Sequence, residues 1–177
     1  NFDDESPPTN IALPHEGLSY RFPFATKKQS YQYFDPIAQK AYEANYEGED
    51  DVNGLTTYRF VQNVGYDGDG PLAEPVRYPS LYGHDEDGEI TAPARLWNIE
   101  GADPDEEVTM TRYYAAQRTM WVDPVSGTIV KSKLHANHYY ARDALKPEIA
   151  LADYTVTSSE ETIEAQVNAA RNERDRV

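Results

Sequence analysis

Residues 118–131 read RTMWVDPVSGTIVK, and this stretch decides the fold. In the turn at the centre of this stretch, Asp123 can accept hydrogen bonds from backbone N–H groups, and Pro124 presets its own φ. Gly127 can adopt the left-handed conformation that closes a hairpin. Adjacent pairs of apolar residues flank this turn on either side. The stretch therefore predicts two antiparallel strands joined by a tight turn, and both faces of the pair are expected to be covered near that turn.

The composition around this hairpin favours a single β domain. The chain has 177 residues, which is enough for one domain with a core of its own. Hydrophobic residues make up 39%, and 14 residues are tyrosines, which fit pleated, half-buried surfaces better than helices. The net charge of −15 would repel nucleic acid, because binding to phosphates needs basic side chains. Solvated acidic loops are the favoured interpretation of this charge.

The chain ends suggest a piece of a longer protein. The sequence starts at Asn1 without a methionine, and it contains neither a signal peptide nor an apolar run of the length that spans a bilayer. There is no cysteine, which excludes disulfides and thiolate chemistry. The helical pattern extends to the last residue, Val177, so we expect the helix to lead into a membrane segment that this sequence lacks.

Local patterns divide the chain into three parts. Residues 1–16 are polar and acidic and predict a disordered lead-in. Residues 17–157 predict an antiparallel β domain, which contains an irregular acidic insert at 65–107. Residues 158–177 predict a C-terminal helix. The predicted fold class is mainly β, of the α+β type. Its sheet is antiparallel and strongly curved, or forms a half-barrel or sandwich, with a C-terminal helix and a long irregular insert.

Alternating and aromatic-rich segments supply the individual elements. Residues 18–24, 29–35 and 38–46 predict strands, whereas 47–53 predict an acidic loop. A capping box is expected at the start of the C-terminal helix, where Ser158 precedes Glu161 by three positions.

Candidate chemistry is sparse. The metal candidates are the carboxylates Asp85, Asp87 and Glu89, although hydrated turns are favoured there because a full calcium loop is missing. His135 and His138 have a metal-like spacing, but on a strand they would point to opposite faces. No nucleophile elbow, P-loop or dinucleotide motif is present. The sequence therefore predicts no catalytic residues, no enzyme activity and no cofactor.

The tyrosines offer a candidate binding surface. Stacking on sugars or holding acyl chains is the chemistry that such side chains could provide, and the competing interpretation is that they fill the core. The candidate ligand-binding residues are Tyr31, Tyr33, Tyr42, Tyr46, Tyr58, Tyr113 and Tyr114.

Several segments together resemble one family. These are RFPFAT at 21–26, YQYFD at 31–35, GLTTYRF at 54–60, RYY at 112–114 and the opening stretch. They resemble the actinobacterial PorA-like family, known as porin PorA and described as a domain of unknown function. The resemblance covers about 17–174. It implies an extracytoplasmic (periplasmic) domain of the cell envelope, anchored in the membrane by a helix at each end.

The resemblance also implies a role. Its main expectation is a non-catalytic accessory or binding protein that supports lipoglycan maturation, that is, lipomannan and lipoarabinomannan biosynthesis. The partner would be an envelope glycolipid or glycan, or a mannosyltransferase. Two alternatives stay open, a lipid or glycolipid carrier with an apolar cavity and a subunit of an oligomeric envelope channel. A homo-oligomer is compatible with each of them.

Overall fold

The computed structural model of the chain describes residues 17–18, 20–78 and 88–176. The predicted lead-in at 1–16 lies outside the described residues. The elements in chain order are β1 (Tyr31–Asp35), β2 (Lys40–Val52), β3 (Leu55–Val64), β4 (Val76–Arg77), β5 (Glu89–Pro93), α1 (Ala94–Trp97), β6 (Glu107–Val122), β7 (Ile129–Ala141), β8 (Ile149–Thr157) and α2 (Glu160–Arg174).

All eight strands form one antiparallel sheet, which confirms the predicted fold class. The main order is β1-β2-β3-β6-β7-β8, while β4 and β5 both pair with β6. Within the described residues, β1 and β8 end the order without pairing to each other, so the sheet is open. The short strands β4 and β5 and the one-turn helix α1 all lie in the stretch predicted as an irregular insert. That stretch returns to the sheet at two points.

The hairpin predicted from the opening stretch is confirmed. The Gly127 N–H donates to the Asp123 carbonyl at 2.8 Å, and the Asp123 N–H donates to the Thr128 carbonyl at 2.9 Å. Gly127 has a φ of +77°, as the closing position of the turn requires. The strands β6 and β7 then pair along most of their length, with one register shift next to Trp121.

Both faces of the sheet are covered near this turn. On one face, Val122 and Met120 pack with Phe22 and Phe60. On the other face, Trp121 packs against a buried cluster that includes two residues of α2. The members of that cluster are Val52, Leu55, Val130, Val167 and Ala170. We call these the aromatic face and the Trp121 face.

The segment 20–26 supplies Phe22 to the aromatic face, but it is not the strand that the sequence predicted. It makes isolated contacts with the hairpin turn, where the Phe22 N–H donates to the Gly127 carbonyl at 2.8 Å. Left-handed backbone at Tyr20 (φ +72°) and Ala25 (φ +53°) interrupts the extended conformation. Phe22 is thereby placed with its ring centroid 4.6 Å from that of Phe60.

The acidic stretch predicted as a loop is the second half of β2, which continues to Val52. Strand structure is stable here because the chain turns at Asn53-Gly54 and pairs back with β3. Asp50 accepts hydrogen bonds from Arg59 and Trp121, so its charge is compensated. Val52 is buried among the residues below α2. Long-range partners therefore outweigh the local preference for a loop.

The cap of the C-terminal helix lies one residue later than predicted. Ser159 is the N-cap, and its Oγ accepts a hydrogen bond from the Thr162 N–H at 3.1 Å. Ser158 bonds to the sheet instead, since its Oγ accepts from the Ser132 N–H at 2.9 Å. The helix α2 thus begins at the edge of β7, where β8 ends. Within the described residues, no helix combines the length and apolar character needed to cross a membrane.

Replacing Gly127 with alanine should destabilise the fold strongly. A Cβ there would lie 2.0 Å from the Phe22 carbonyl oxygen, in addition to the strain of a φ of +77°. We expect a loss of at least about 3 kcal/mol in the free energy of unfolding, measured by urea denaturation. Gly101→Ala is the matched control, because Gly101 has the same φ and no atom within 4 Å. It should lose only about 1–2 kcal/mol. Equal losses would contradict the role of the Phe22 contact.

Acid should weaken the attachment of α2. Asp123 is fully buried, and burial alone would raise its pKa. Hydrogen bonds from Arg174 and Ser126 outweigh that effect and lower the pKa below its usual value. A lowered pKa contributes stability above the unfolded value of about 3.9, and this is lost as pH falls through the folded pKa.

Arg174→Gln should therefore reduce the free energy of unfolding at pH 7 by about 2 kcal/mol. The difference from the unmodified chain should shrink as the pH falls below about 4. Urea denaturation between pH 7 and pH 3 measures both effects. Arg176→Gln, at an exposed position, is the control and should change neither quantity. A difference that persists undiminished at pH 3 would contradict the role of the Asp123 charge.

Candidate functional site

A buried polar network lies in the middle of the aromatic face, and Asp35 is its centre. Asp35 ends β1 and is fully buried. Its Oδ1 accepts hydrogen bonds from the backbone N–H groups of Ile37 and Ala38, both at 2.9 Å. Its Oδ2 accepts from the Tyr114 hydroxyl at 2.7 Å and from Arg118 Nη1 at 3.2 Å. Four donors therefore saturate this carboxylate.

Arg118 connects Asp35 to the neighbouring strands. Its Nη1 also donates to Gln62 Oε1 at 2.6 Å. The Gln62 Nε2 in turn donates to the Tyr33 and Tyr42 carbonyls, at 2.7 and 3.1 Å. Because Gln62 lies on β3 and Arg118 faces it on β6, the network joins β1, β2, β3 and β6 below the surface. The polar side-chain atoms of Asp35 and Gln62 thus all have partners, as buried polar groups require.

The electrostatics of this network keep its phenols neutral. Burial, the Asp35 charge and the hydrogen bond to Asp35 raise the pKa of Tyr114 far above its usual value. Burial also raises the pKa of Tyr33 and of Tyr42. Burial and the nearby Arg112 charge lower the pKa of His138, whose ring lies 5.0 Å from that of Tyr114. A saturated carboxylate beside neutral rings holds strands together, and it does not provide a free base for catalysis.

A groove opens beside this network. It has a volume of about 250 Å³, and its walls come from Tyr20, the aromatic face, the start of β7 and the first turns of α2. Arg118 lies at its edge with a side chain that is 13% exposed. The polar residues that line it include Ser132, Ser158 and Thr162, and its lining contains no Asp or Glu. This arrangement can hold a small polar or anionic group, although Asp35 already offsets the Arg118 charge.

The structure gathers six of the seven candidate tyrosines on the aromatic face and leaves one apart. Four of them surround Phe22 and Phe60: Tyr31, Tyr33, Tyr46 and Tyr58. Tyr42 and Tyr114 belong to the adjacent cluster. Tyr113 lies on the opposite face, where its ring stacks on Tyr139 at 5.7 Å. A ligand-binding role for the set stays a prediction.

The metal candidates do not converge in the described part of the chain. Glu89 accepts a hydrogen bond from Arg77 at 2.7 Å, whereas Asp85 and Asp87 lie outside the described residues. His135 contacts Asp153 at 2.6 Å, and His138 is buried on the aromatic face. Among the described residues, no group of three metal-ligating side chains is close enough to hold an ion.

Sequence reasoning missed Asp35, Gln62 and Arg118 as a unit. A signal for two of them was present in the strand alternation. Gln62 occupies a core position between Phe60 and Val64, and Arg118 is in register with it on β6. A polar residue at a core position predicts a buried partner. The signal did not reveal which partner, because Asp35 and Arg118 are 83 residues apart.

Comparison with known proteins places this chain in a family. The sequence model of the family described as Porin PorA matches residues 1–177. A Porin PorA of Corynebacterium resistens is 34% identical over 153 residues, which cover 72% of this chain and 37% of the relative. A Porin PorA of Corynebacterium amycolatum is 30% identical over 156 residues, which cover 82% of this chain and 38% of the relative. The chain thus spans less than two fifths of the length of these relatives.

These matches confirm the predicted resemblance and correct the expected role. The family and both relatives carry the name porin, which denotes a channel-forming protein. The main expectation, a non-catalytic accessory of lipoglycan maturation, was therefore wrong, and the channel alternative fits better. The expected lipomannan, lipoarabinomannan, glycolipid and mannosyltransferase associations have no support in these names, and neither has membrane anchoring by flanking helices. The error came from the role implied by the resemblance, since no residue pattern had indicated it.

Arg118→Met should destabilise the fold by about 3 kcal/mol, because it leaves the buried Asp35 charge without its cation. Asp35→Asn combined with Arg118→Met should recover part of this loss, since the unpaired charge is then gone. Urea denaturation measures both variants. Arg59→Met is the matched control. Its ion pair with Asp50 is about one third exposed, so a loss of at most about 1 kcal/mol is expected. A loss in Arg118→Met no larger than in the control would show that the network carries no special stability.

Proposed function

The chain belongs to the Porin PorA family, and we propose from this premise that it is a non-catalytic part of a cell-envelope channel. We also propose that the channel assembles from copies of the same protein and that this part lies outside the cytoplasm. The family match over the whole chain is the observation that carries the proposal. Because the chain spans only 37–38% of the relatives, channel activity is proposed for the full-length protein.

The buried groups favour a structural part over an enzyme. Asp35 is saturated by four hydrogen bonds, so it has no lone pair free to take a proton from a substrate. The phenol of Tyr114 donates to Asp35 and stays protonated. These contacts give a stiff sheet, which suits a module that must keep its shape while ions or solutes pass.

The charge of the chain supports a preference for cations. The net charge is −15, and exposed carboxylates recur along β2 at Glu43, Glu47, Glu49 and Asp51. Glu49 is paired with Lys28 at 3.0 Å, which leaves the other three without an ion pair in the described part of the chain. A surface of one sign raises the local concentration of counter-ions and lowers that of ions of like charge. A channel bordered by this strand would therefore pass cations more readily than anions.

Planar bilayer recording of the full-length protein tests the proposal. We expect stepwise conductance increments and, in a KCl gradient, a reversal potential of the sign that indicates cation preference. Replacing Glu43 and Glu47 with Gln and Asp51 with Asn should lower the cation-to-anion permeability ratio at least about twofold, because counter-ion enrichment follows local charge. A second triple variant replaces Glu160, Glu161 and Glu164 on α2 with Gln and removes the same number of charges. Comparing the permeability ratios of the two triple variants identifies whether β2 or α2 borders the ion path. Absence of conductance, or anion preference, would overturn the proposal.

A further inference from the structure

The two ends of the sheet differ in how they are protected. At β1 the outer edge is partly covered, because the Leu18 N–H donates to the Gln32 carbonyl at 2.7 Å and the Leu18 carbonyl accepts from the Phe34 N–H at 2.6 Å. At β8 nothing in the described part of the chain pairs with the outer edge. An unpaired edge is a template for another strand.

The hydrogen-bond pattern shows which groups of β8 face outward. The Ser158 N–H donates to the Ser132 carbonyl at 3.0 Å. Val156 and Tyr154, two and four residues before Ser158, are in register with Leu134 and Ala136, two and four residues after Ser132. In an antiparallel pair, every second residue exchanges its backbone hydrogen bonds with the partner strand. Val156 and Tyr154 therefore bond to β7. The N–H and C=O groups left at the outer edge belong to the intervening residues, Asp153, Thr155 and Thr157.

The side chains of β8 are suited to a dry contact. Three apolar residues are exposed, with Leu151 at 44%, Tyr154 at 45% and Val156 at 56%. The strand contains one charged residue, Asp153, and its carboxylate already contacts His135 at 2.6 Å. It contains neither proline nor lysine, which commonly prevent edge-to-edge pairing, and its one irregularity against β7, at 150–152, lies outside the outward-facing groups at 153, 155 and 157. In a chain with a net charge of −15, this strand is a nearly neutral surface.

We propose that a second copy of this chain pairs with this edge, so that two β8 strands join antiparallel across a two-fold axis. The occupant must offer an extended, nearly neutral strand with a free edge, and β8 itself is such a strand. In such a dimer, the outer edge of β8 in each copy finds its hydrogen-bond partners on β8 of the other copy. Within the paired strands, like-charge repulsion is limited to Asp153, and its carboxylate already contacts His135. This interface deepens the proposed self-assembly, on which it rests.

The register follows from the same pattern. The residues whose backbone groups face outward, 153, 155 and 157, can bond only to the same set in the other copy. Because these residues all have odd numbers, the two numbers of a bonded pair add up to an even number. The two-fold axis therefore passes through a residue of β8 and not between two residues. An axis at Asp153 would place the two Asp153 carboxylates directly opposite each other, which is unfavourable. An axis at Tyr154 places Asp153 opposite Thr155 of the other copy and Ala152 opposite Val156. An axis at Thr155 would pair only 153–157 of each strand, whereas the axis at Tyr154 pairs 151–157. The geometry favours the axis at Tyr154, which also buries Tyr154 against its equivalent.

Thr155→Pro tests the interface. Proline removes an outward N–H and leaves the bonds from β7 to Tyr154 and Val156 intact, so the variant should keep the circular dichroism spectrum of the fold. Sedimentation equilibrium should give a dimer of two 20.0 kDa chains for the unmodified protein and a monomer for the variant, with the dissociation constant raised at least tenfold. Thr155→Val is the matched control, because it keeps the N–H, and it should remain dimeric.

Cysteine cross-linking tests the register, since the chain contains no cysteine of its own. Across the proposed axis, two Tyr154→Cys residues form a non-hydrogen-bonded pair about 4.5 Å apart in Cα positions, which a disulfide can bridge. Oxidation should link this variant into covalent dimers, whereas Thr157→Cys, opposite Leu151, should not form them.

Several results would overturn the interface. They are a monomeric unmodified chain, a Thr155→Pro variant that remains dimeric, and cross-linking at 157 without cross-linking at 154. Because these readouts need no conductance, they separate the two proposals. A monomeric chain together with a conducting full-length protein would refute only the β8 interface. A dimer sensitive to Thr155→Pro together with a non-conducting full-length protein would refute only the channel.

Discussion

The turn between β6 and β7 holds three distant parts of the chain together. The buried Asp123 carboxylate accepts hydrogen bonds from Ser126 in the turn and from Arg174 at the end of α2. On its other side, Gly127 lies so close to the Phe22 backbone that no side chain fits between them. The C-terminal helix and the segment that carries Phe22 are therefore both attached to one hairpin. The hydrophobic clusters on the two faces of the sheet depend on these attachments, because each cluster contains residues from one of the attached segments.

A second constraint acts in the middle of the sheet. Asp35 is buried as a carboxylate, and this is tolerated because Tyr114, Arg118 and two backbone N–H groups all donate to it. A fully satisfied buried network fixes one arrangement of strands, whereas a partly satisfied one would be costly. The same hydrogen bonds occupy both oxygens of Asp35. The aromatic face is thus built for rigidity, which agrees with the proposed non-catalytic role.

The surfaces, more than any pocket, distinguish this molecule. Exposed carboxylates recur along β2, whereas β8 is nearly neutral and presents three exposed apolar side chains. Charge keeps most of the surface solvated and repels identical copies, and β8 itself contributes a single carboxylate to that repulsion. Self-assembly and ion preference would then arise from two separate strands of one rigid sheet.

The sequence by itself determined the hairpin, the mainly antiparallel class, the C-terminal helix and the family. It could do so because turn chemistry at Asp123 to Gly127, alternation along strands and helical periodicity act between near neighbours. Only the tertiary structure decided that 47–52 is a strand, that Ser159 caps α2, and that Asp35 meets Arg118. In each case a partner far along the chain outweighs the local preference, and Ser158 illustrates this by bonding to Ser132 instead of capping the helix. The edge of β8 belongs to the same class, because a strand becomes an edge only through the order in which all strands pair.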